Sequence, residues 1–333
     1  MMIHTTKGKW IALILSSFVL IICLLSSIVF GYTETSWSTA FAAFKENDGS
    51  TAHLVILNVR LPRALIAAIV GACLATSGAI MQSITKNPLA SPSILGINAG
   101  AVFFVVIGVV LFQLQSLQSY MIFGLVGAAV SFIIVFLLSS IGREGLTPMK
   151  LILAGAAVSA LFSSMTQGFL TINEAALDQV LFWMAGSVAN RPIELLNIGF
   201  PYMVIGLLAA FLLSKQMNLL ALGDDIASGL GQNVILIKFI FSFIVVVLAG
   251  TSVAIAGPIS FIGIIIPHIV RSFVGIQHQW VFPFSAIYGG ILLLLADIAT
   301  RYIMMPKEVP VGAMTALIGV PFFIYVARRR FAA

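Results

Sequence analysis

Few side chains in this sequence could do chemistry on their own. Only 8% of its 333 residues are Asp, Glu, Lys or Arg. Within the apolar runs, the ionisable groups that stand out are His268, in PHIVR, and the pair Asp297 and Arg301. Four positions apart on a helix is one face, so Asp297 and Arg301 can pair with each other. A carboxylate inside a membrane can also relay protons. Asp297 has no second ionisable group beside it near the middle of a span, which argues against that use. His268 lacks a partner His or Cys at metal-ligand spacing, so a local structural role is expected and no metal site. Cys23 and Cys73 lie near the middle of apolar segments, where a thiol behaves as a small hydrophobe. The sequence contains no G-x-x-x-x-G-K-[ST] phosphate loop, no H-E-x-x-H and no G-x-S-x-G. Neither an enzyme nor a cofactor site is expected, and the chain should not hydrolyse ATP itself.

Weaker polar patterns remain. Ser159, Ser163 and Gln167 fall at i, i+4 and i+8, with Ser164 beside them, and so line one helix face. Such hydroxyls can bond their own backbone and serve packing, or they can line a pathway. Arg60, Arg63 and Arg301 sit at the ends of apolar segments. There the planar guanidinium fork suits either carboxylates of a protein partner or a local role, with Arg301 held by Asp297. The stretch 215–238, KQMNLLALGDDIASGLGQNVILIK, is too polar to span a membrane. Leu219, Leu220, Leu222, Ile226 and Leu230 fall at roughly helical spacing and Gly223 and Gly231 break the run, which predicts one or two short amphipathic helices. They are either a solvated linker or a docking surface for a soluble partner.

These side chains need elements to hold them, and composition decides which kind. With 60% hydrophobic residues the chain cannot be soluble and globular, since such chains carry about 25% charged residues. A hydrocarbon core of roughly 30 Å needs about 20 apolar residues per helix. Ten segments qualify, approximately 10–32, 61–82, 94–113, 119–141, 149–171, 195–214, 236–256, 259–277, 280–303 and 311–328. The fold class expected is therefore an all-α polytopic membrane protein of about ten transmembrane helices, one domain over 1–333. Five spans on each side of 172–194 would give two five-helix halves of inverted topology.

With the N-terminus inside, 11 of the 17 basic residues fall on the inner side, Arg143, Arg329 and Arg330 among them, and six, including Lys307, on the outer. Both termini are thus expected in the cytoplasm, as is the 215–238 loop. The basic residues cluster at span ends, so topology explains the net charge of +6 and no nucleic-acid partner is expected. In the second span, Ala67, Gly71, Ala75 and Ala79 form a small-xxx-small stripe suited to tight helix packing. The loops 33–60 and 172–194 are long enough for surface helices.

Several segments resemble a known family when taken together. RLPRALIAAIVGACLATSGAIMQSITKNPLASPSILGINAGA (60–101), LAGAAVS (153–159), FWMAGSVANR (182–191), LGDDIASGLG (222–231), GPISFIGIIIPHIVRSFVG (257–275), ADIATR (296–301) and EVPVGAMTALIGVPFF (308–323) resemble permease subunits of iron-siderophore and vitamin B12 ABC importers, the FecCD-like family. The resemblance implies ten helices per subunit in the plasma membrane. It also implies a second permease, identical or homologous, two cytoplasmic ATP-binding subunits and an extracytoplasmic substrate-binding protein. The substrate would be a ferric siderophore, with vitamin B12 or haem as alternatives. By the same comparison Gly223, Ala227, Leu230 and Gly231 match the family's ATPase-coupling helices, and the helix bearing Ser159, Ser163 and Gln167 matches its pathway-lining helix. Arg60, Arg63 and Arg301 would then face acidic groups of the binding protein.

Overall fold

The computed structural model describes residues 5–31, 35–45, 48–142, 146–305 and 308–331. Arg143 and Lys307, and the side chains of Arg329 and Arg330, all counted above for orientation, lie outside the described residues. Every regular element among the described residues is helical. In chain order these are α1 (Thr6–Val29), α2 (Trp37–Lys45), α3 (Thr51–Val55), α4 (Leu61–Ile84), α5 (Ile97–Phe112), α6 (Leu117–Ser140), α7 (Pro148–Ile172) and α8 (Glu174–Met184). They continue with α9 (Ile193–Leu212), α10 (Ser214–Ala221), α11 (Asp224–Gly229), α12 (Val234–Val245), α13 (Thr251–Ala256), α14 (Ile262–Val274), α15 (His278–Ile303) and α16 (Val311–Phe331).

Many helices start where the sequence supplies a cap. Thr5, Ser116, Thr147, Asn173 and Asn233 each accept a backbone N–H three positions on, opening α1, α6, α7, α8 and α12. Two π-helical turns, Ile56–Arg60 and Val246–Gly250, join α3 to α4 and α12 to α13 into continuous rods. Seven of the resulting helices are long and apolar enough to cross a membrane, and three shorter apolar ones cover 97–112, 262–274 and 311–324.

The boundaries differ from the expected ones where backbone chemistry intervenes. The second rod begins at Thr51 rather than 61, because Ser50 caps it and the π turn carries it on. The segment expected from 94 becomes α-helical only at Ile97, since 92–95 is a 3-10 turn closed by Gly96 at φ +70°. The one expected over 259–277 shrinks to α14, because Gly257 at φ +74° and Phe261 at φ +69° delay it and Gly275 at φ +86° ends it. A proline-containing stretch that is not α-helical therefore precedes both α5 and α14.

The rod containing α4 is the axis of the bundle, with 83% of its most apolar stretch buried, against 28% for α7. Its small-residue stripe explains the packing. Ala67, Ala75 and Ala79 are fully buried, and Gly71 lies so close to Gly289 of α15 that a Cβ on either would collide with the other's carbonyl oxygen. A Cβ on Gly78 would likewise strike the carbonyl oxygen of Gly263 of α14, and one on Gly263 would meet the Leu74 carbonyl and the Gly78 Cα. Backbones can approach this closely only where side chains are absent.

Candidate functional site

The polar face of α7 opens on a cleft. Its volume is about 380 Å³, walled by Ser159, Ser163, Thr166 and Gln167 of α7, by Ser93, Asn98, Ala99 and Val102 around the start of α5, and by Met184 and Pro258. A neighbouring cavity of about 220 Å³ shares Ser93 and Asn98 and reaches Ile259, Ser260, Phe261 and Gly263. Ser159, Ser163 and Gln167, which sequence placed on one face, are thus brought together. Ser93, Asn98 and Thr166 join them unannounced. The signal for Ser93 was a proline-interrupted stretch, NPLASPS, because backbone that departs from the α-helix at membrane depth persists only where it lines a cavity or is buried in protein. Gly155 lets that stretch seat against α7, where a Cβ would strike the carbonyl oxygen of Ile94. The cleft walls carry hydroxyls, amides and methyl groups but no charge, a surface that can pass a bulky polar solute without holding it.

At one end of the bundle α10 and α11 form the two short helices expected between 215 and 238. Gly223, at φ +127°, and Gly231, at φ +82°, turn the chain on either side of α11. Leu222, Ile226 and Leu230 are exposed, whereas Ala227 is fully buried. Ala227 therefore supports this apolar knob from within, and Leu230 belongs to its surface. Asp224 anchors the element. Lys238 Nζ donates to its carboxylate at 2.5 Å and to Leu146 O at 3.1 Å, and Lys86 Nζ lies 3.3 Å away. Burial alone would raise the Asp224 carboxyl, but Lys238 and Lys86 together hold it below the ordinary carboxylate range.

The three arginines are engaged inside the protein. Arg63 Nε donates to both Asp297 oxygens at 2.9 and 3.0 Å, and its Nη1 reaches Glu308 at 2.8 Å. Arg301 donates to Asp297 at 2.6 Å and to the carbonyls of Ser27 and Phe30, each at 2.6 Å. Arg60 donates to Val29 O and Thr35 Oγ1, both at 2.6 Å. All three are buried, as is Asp297, while Glu308 stays partly exposed. The Asp297–Arg301 pair expected from spacing exists, but it does not stand alone. Arg63 and Glu308 extend it into a four-member network tying α4 and α15 to the loop before α16, while Arg301 and Arg60 bind the end of α1. His268 lies edge-on to Phe322 of α16, with ring centroids 5.7 Å apart.

An all-helical, multi-pass bundle with an uncharged cleft between interrupted helices and an exposed apolar knob at one end has the build of a membrane permease. Comparison with known proteins gives the family: the chain belongs to the FecCD transport family, whose model matches residues 19–329. It is 54% identical over 329 residues to a probable siderophore transport system permease protein of Bacillus subtilis, YfiZ, with 99% of each chain covered. To the iron(3+)-hydroxamate import permease FhuB of the same organism it is 43% identical, over 97% of this chain and 84% of that one. To the ferric enterobactin permease FepD of Escherichia coli it is 38% identical, over 93% of each. Among solved structures, a metal-chelate type ABC transporter in an inward-facing conformation superposes with a TM-score of 0.85 at 31% identity, covering 96% of this chain and 99% of that one.

Proposed function

We propose that this chain is the permease subunit of an ABC importer that carries a ferric siderophore across the bacterial plasma membrane, powered by separate cytoplasmic ATPases. The observation that carries the proposal is the uncharged cleft on α7, left open on one side in the single chain. Such a half-channel is completed by a second permease, identical or homologous, and relatives along nearly the whole length are named for iron chelates. Ser159, Ser163 and Gln167 line the pathway with Ser93 and Asn98. Vitamin B12 or haem would fit the same kind of wall, and relatives named for hydroxamate, enterobactin and citrate favour a siderophore.

In this reading residues 1–333 form one permease domain that crosses the membrane ten times, the three short apolar helices completing the count. Its halves are inverted repeats. Support comes from α5 and α14, the third crossing of each half, which are both short and both follow a proline-containing stretch. The termini and the 215–238 segment face the cytoplasm, where Leu222, Ile226 and Leu230, turned by Gly223 and Gly231 and backed by Ala227, enter a groove on the ATPase. An extracytoplasmic binding protein delivers ligand at the opposite end. There the buried partners of Arg60, Arg63 and Arg301 favour internal fastening, and docking through them would require those bonds to open.

Purification from native membranes in mild detergent tests the assignment. An ATPase, a permease and a binding protein should co-purify, and the binding protein should hold ferric siderophore. A chain that purifies without ATPase and transports on an ion gradient would be a secondary transporter instead.

A further inference from the structure

The first backbone N–H groups of α15 have no partner within their own helix, and the residue preceding it, Gln277, makes no side-chain cap. The cap comes from elsewhere. Asn218 of α10 accepts the backbone N–H of His278 at 2.8 Å and also lies 2.8 Å from its Nδ1. An acceptor there fixes the proton on Nδ1 and leaves Nε2 to accept. The Ser83 hydroxyl of α4 sits 2.6 Å from Nε2 and 2.9 Å from Ala79 O, and its single proton can go to either acceptor. Arg271, near the end of α14, donates to Ser83 Oγ at 3.4 Å, to Ala79 O at 3.2 Å and to the Gln82 side-chain oxygen. Gln82 in turn donates its amide to Gly263 O at 3.1 Å and Ile264 O at 3.4 Å. Gly263 and Ile264 line the cavity beside the cleft.

A continuous run of hydrogen bonds therefore leads from the segment carrying the apolar knob to the backbone of the pathway wall. Gln82 and His278 are buried, and Asn218, Ser83 and Arg271 border a pocket of about 500 Å³ together with Leu219 and Leu222. In a low-dielectric interior such bonds are expensive to leave unmade, so a displacement at one end must be accommodated at the next. We propose that Asn218 and His278 are positioning residues, through which movement of α10 is passed by Ser83, Arg271 and Gln82 to α14 and the Gly263–Ile264 wall. The proposal rests on the reading of 215–238 as the ATPase-coupling segment.

The test uses the whole transporter, permease with its ATPase, carrying Ser260→Cys. Ser260 is exposed and lines the cavity, while Cys23 and Cys73 are buried. The readout is the rate at which a methanethiosulfonate reagent labels that position, with and without ATP and vanadate. Adding Asn218→Ala or Ser83→Ala should leave ATPase binding and hydrolysis in place and shrink the nucleotide-dependent change in labelling by roughly fivefold or more. The double variant should do little more than either single, as expected for members of one network. Asn218→Asp, which keeps an acceptor, should recover most of the response. A response retained in Asn218→Ala, or loss of the ATPase from these variants, overturns the relay and leaves the residues as fasteners. If labelling of Ser260→Cys ignores nucleotide while ATPase is bound and the other residues are unchanged, the coupling reading itself falls, and this proposal with it.

Discussion

Asp297 holds two guanidinium groups at once, so its removal cannot be neutral. Asp297→Asn leaves Arg63 and Arg301 buried with half their compensation, and should destabilise the purified permease by about 3–5 kcal/mol, as for other broken buried pairs. Glu308→Gln touches the exposed end of the network and should cost under about 1 kcal/mol. Unfolding midpoints in one detergent compare the two, and equal shifts would mean that the network is not the fastener described here. Asp224 acts on a more exposed element. Because its folded-state pKa is depressed, its ion pairs stabilise the fold above the ordinary carboxylate range and are lost as acid protonates it. At neutral pH, Asp224→Asn should speed hydrogen exchange over 222–231 while leaving α4 and α15 protected. The sequence showed only part of this chemistry. Asp297 and Arg301 are visible at i, i+4, whereas Arg63 meets Asp297 across 234 positions, a distance that no local pattern encodes.

Helices were the legible level. Apolar run length and small-residue spacing announced α4 and its stripe, and Gly-flanked leucines announced α10 and α11. What ran together were helix starts inside apolar stretches, as at α5 and α14, because 3-10 and left-handed residues leave hydropathy unchanged. Asn98, a single amide in an apolar helix, carried no pattern that marked it as cleft lining. Gly71→Leu should abolish a monodisperse folded peak on size exclusion, since the intruding side chain meets backbone rather than a movable neighbour. Leu230→Glu and Ala227→Asp should separate surface from support. The first alters only the exposed knob and should release the ATPase from a folded permease, whereas the second buries an unpaired charge and should unfold α11 as well. Hydrogen exchange over 222–231 distinguishes them. Ser163→Trp, which fills the cleft from an exposed position, should stop uptake with the bundle intact. Unchanged uptake would return that face of α7 to helix packing.

At the scale of the molecule, the single chain leaves a cleft open, α7 largely exposed and an apolar knob in solvent, and membership of an ABC importer permease family implies an ATPase and partner components. Uptake by proteoliposomes containing this permease, its co-purified second permease and ATPase is the most direct test. The binding protein is added outside with 55Fe-labelled hydroxamate, catecholate and citrate chelates in turn. At least one chelate should accumulate in a way that requires ATP on the ATPase side, persists when ionophores collapse every ion gradient, and disappears in Leu230→Glu. Accumulation that needs an ion gradient and proceeds without ATP would contradict the proposed import.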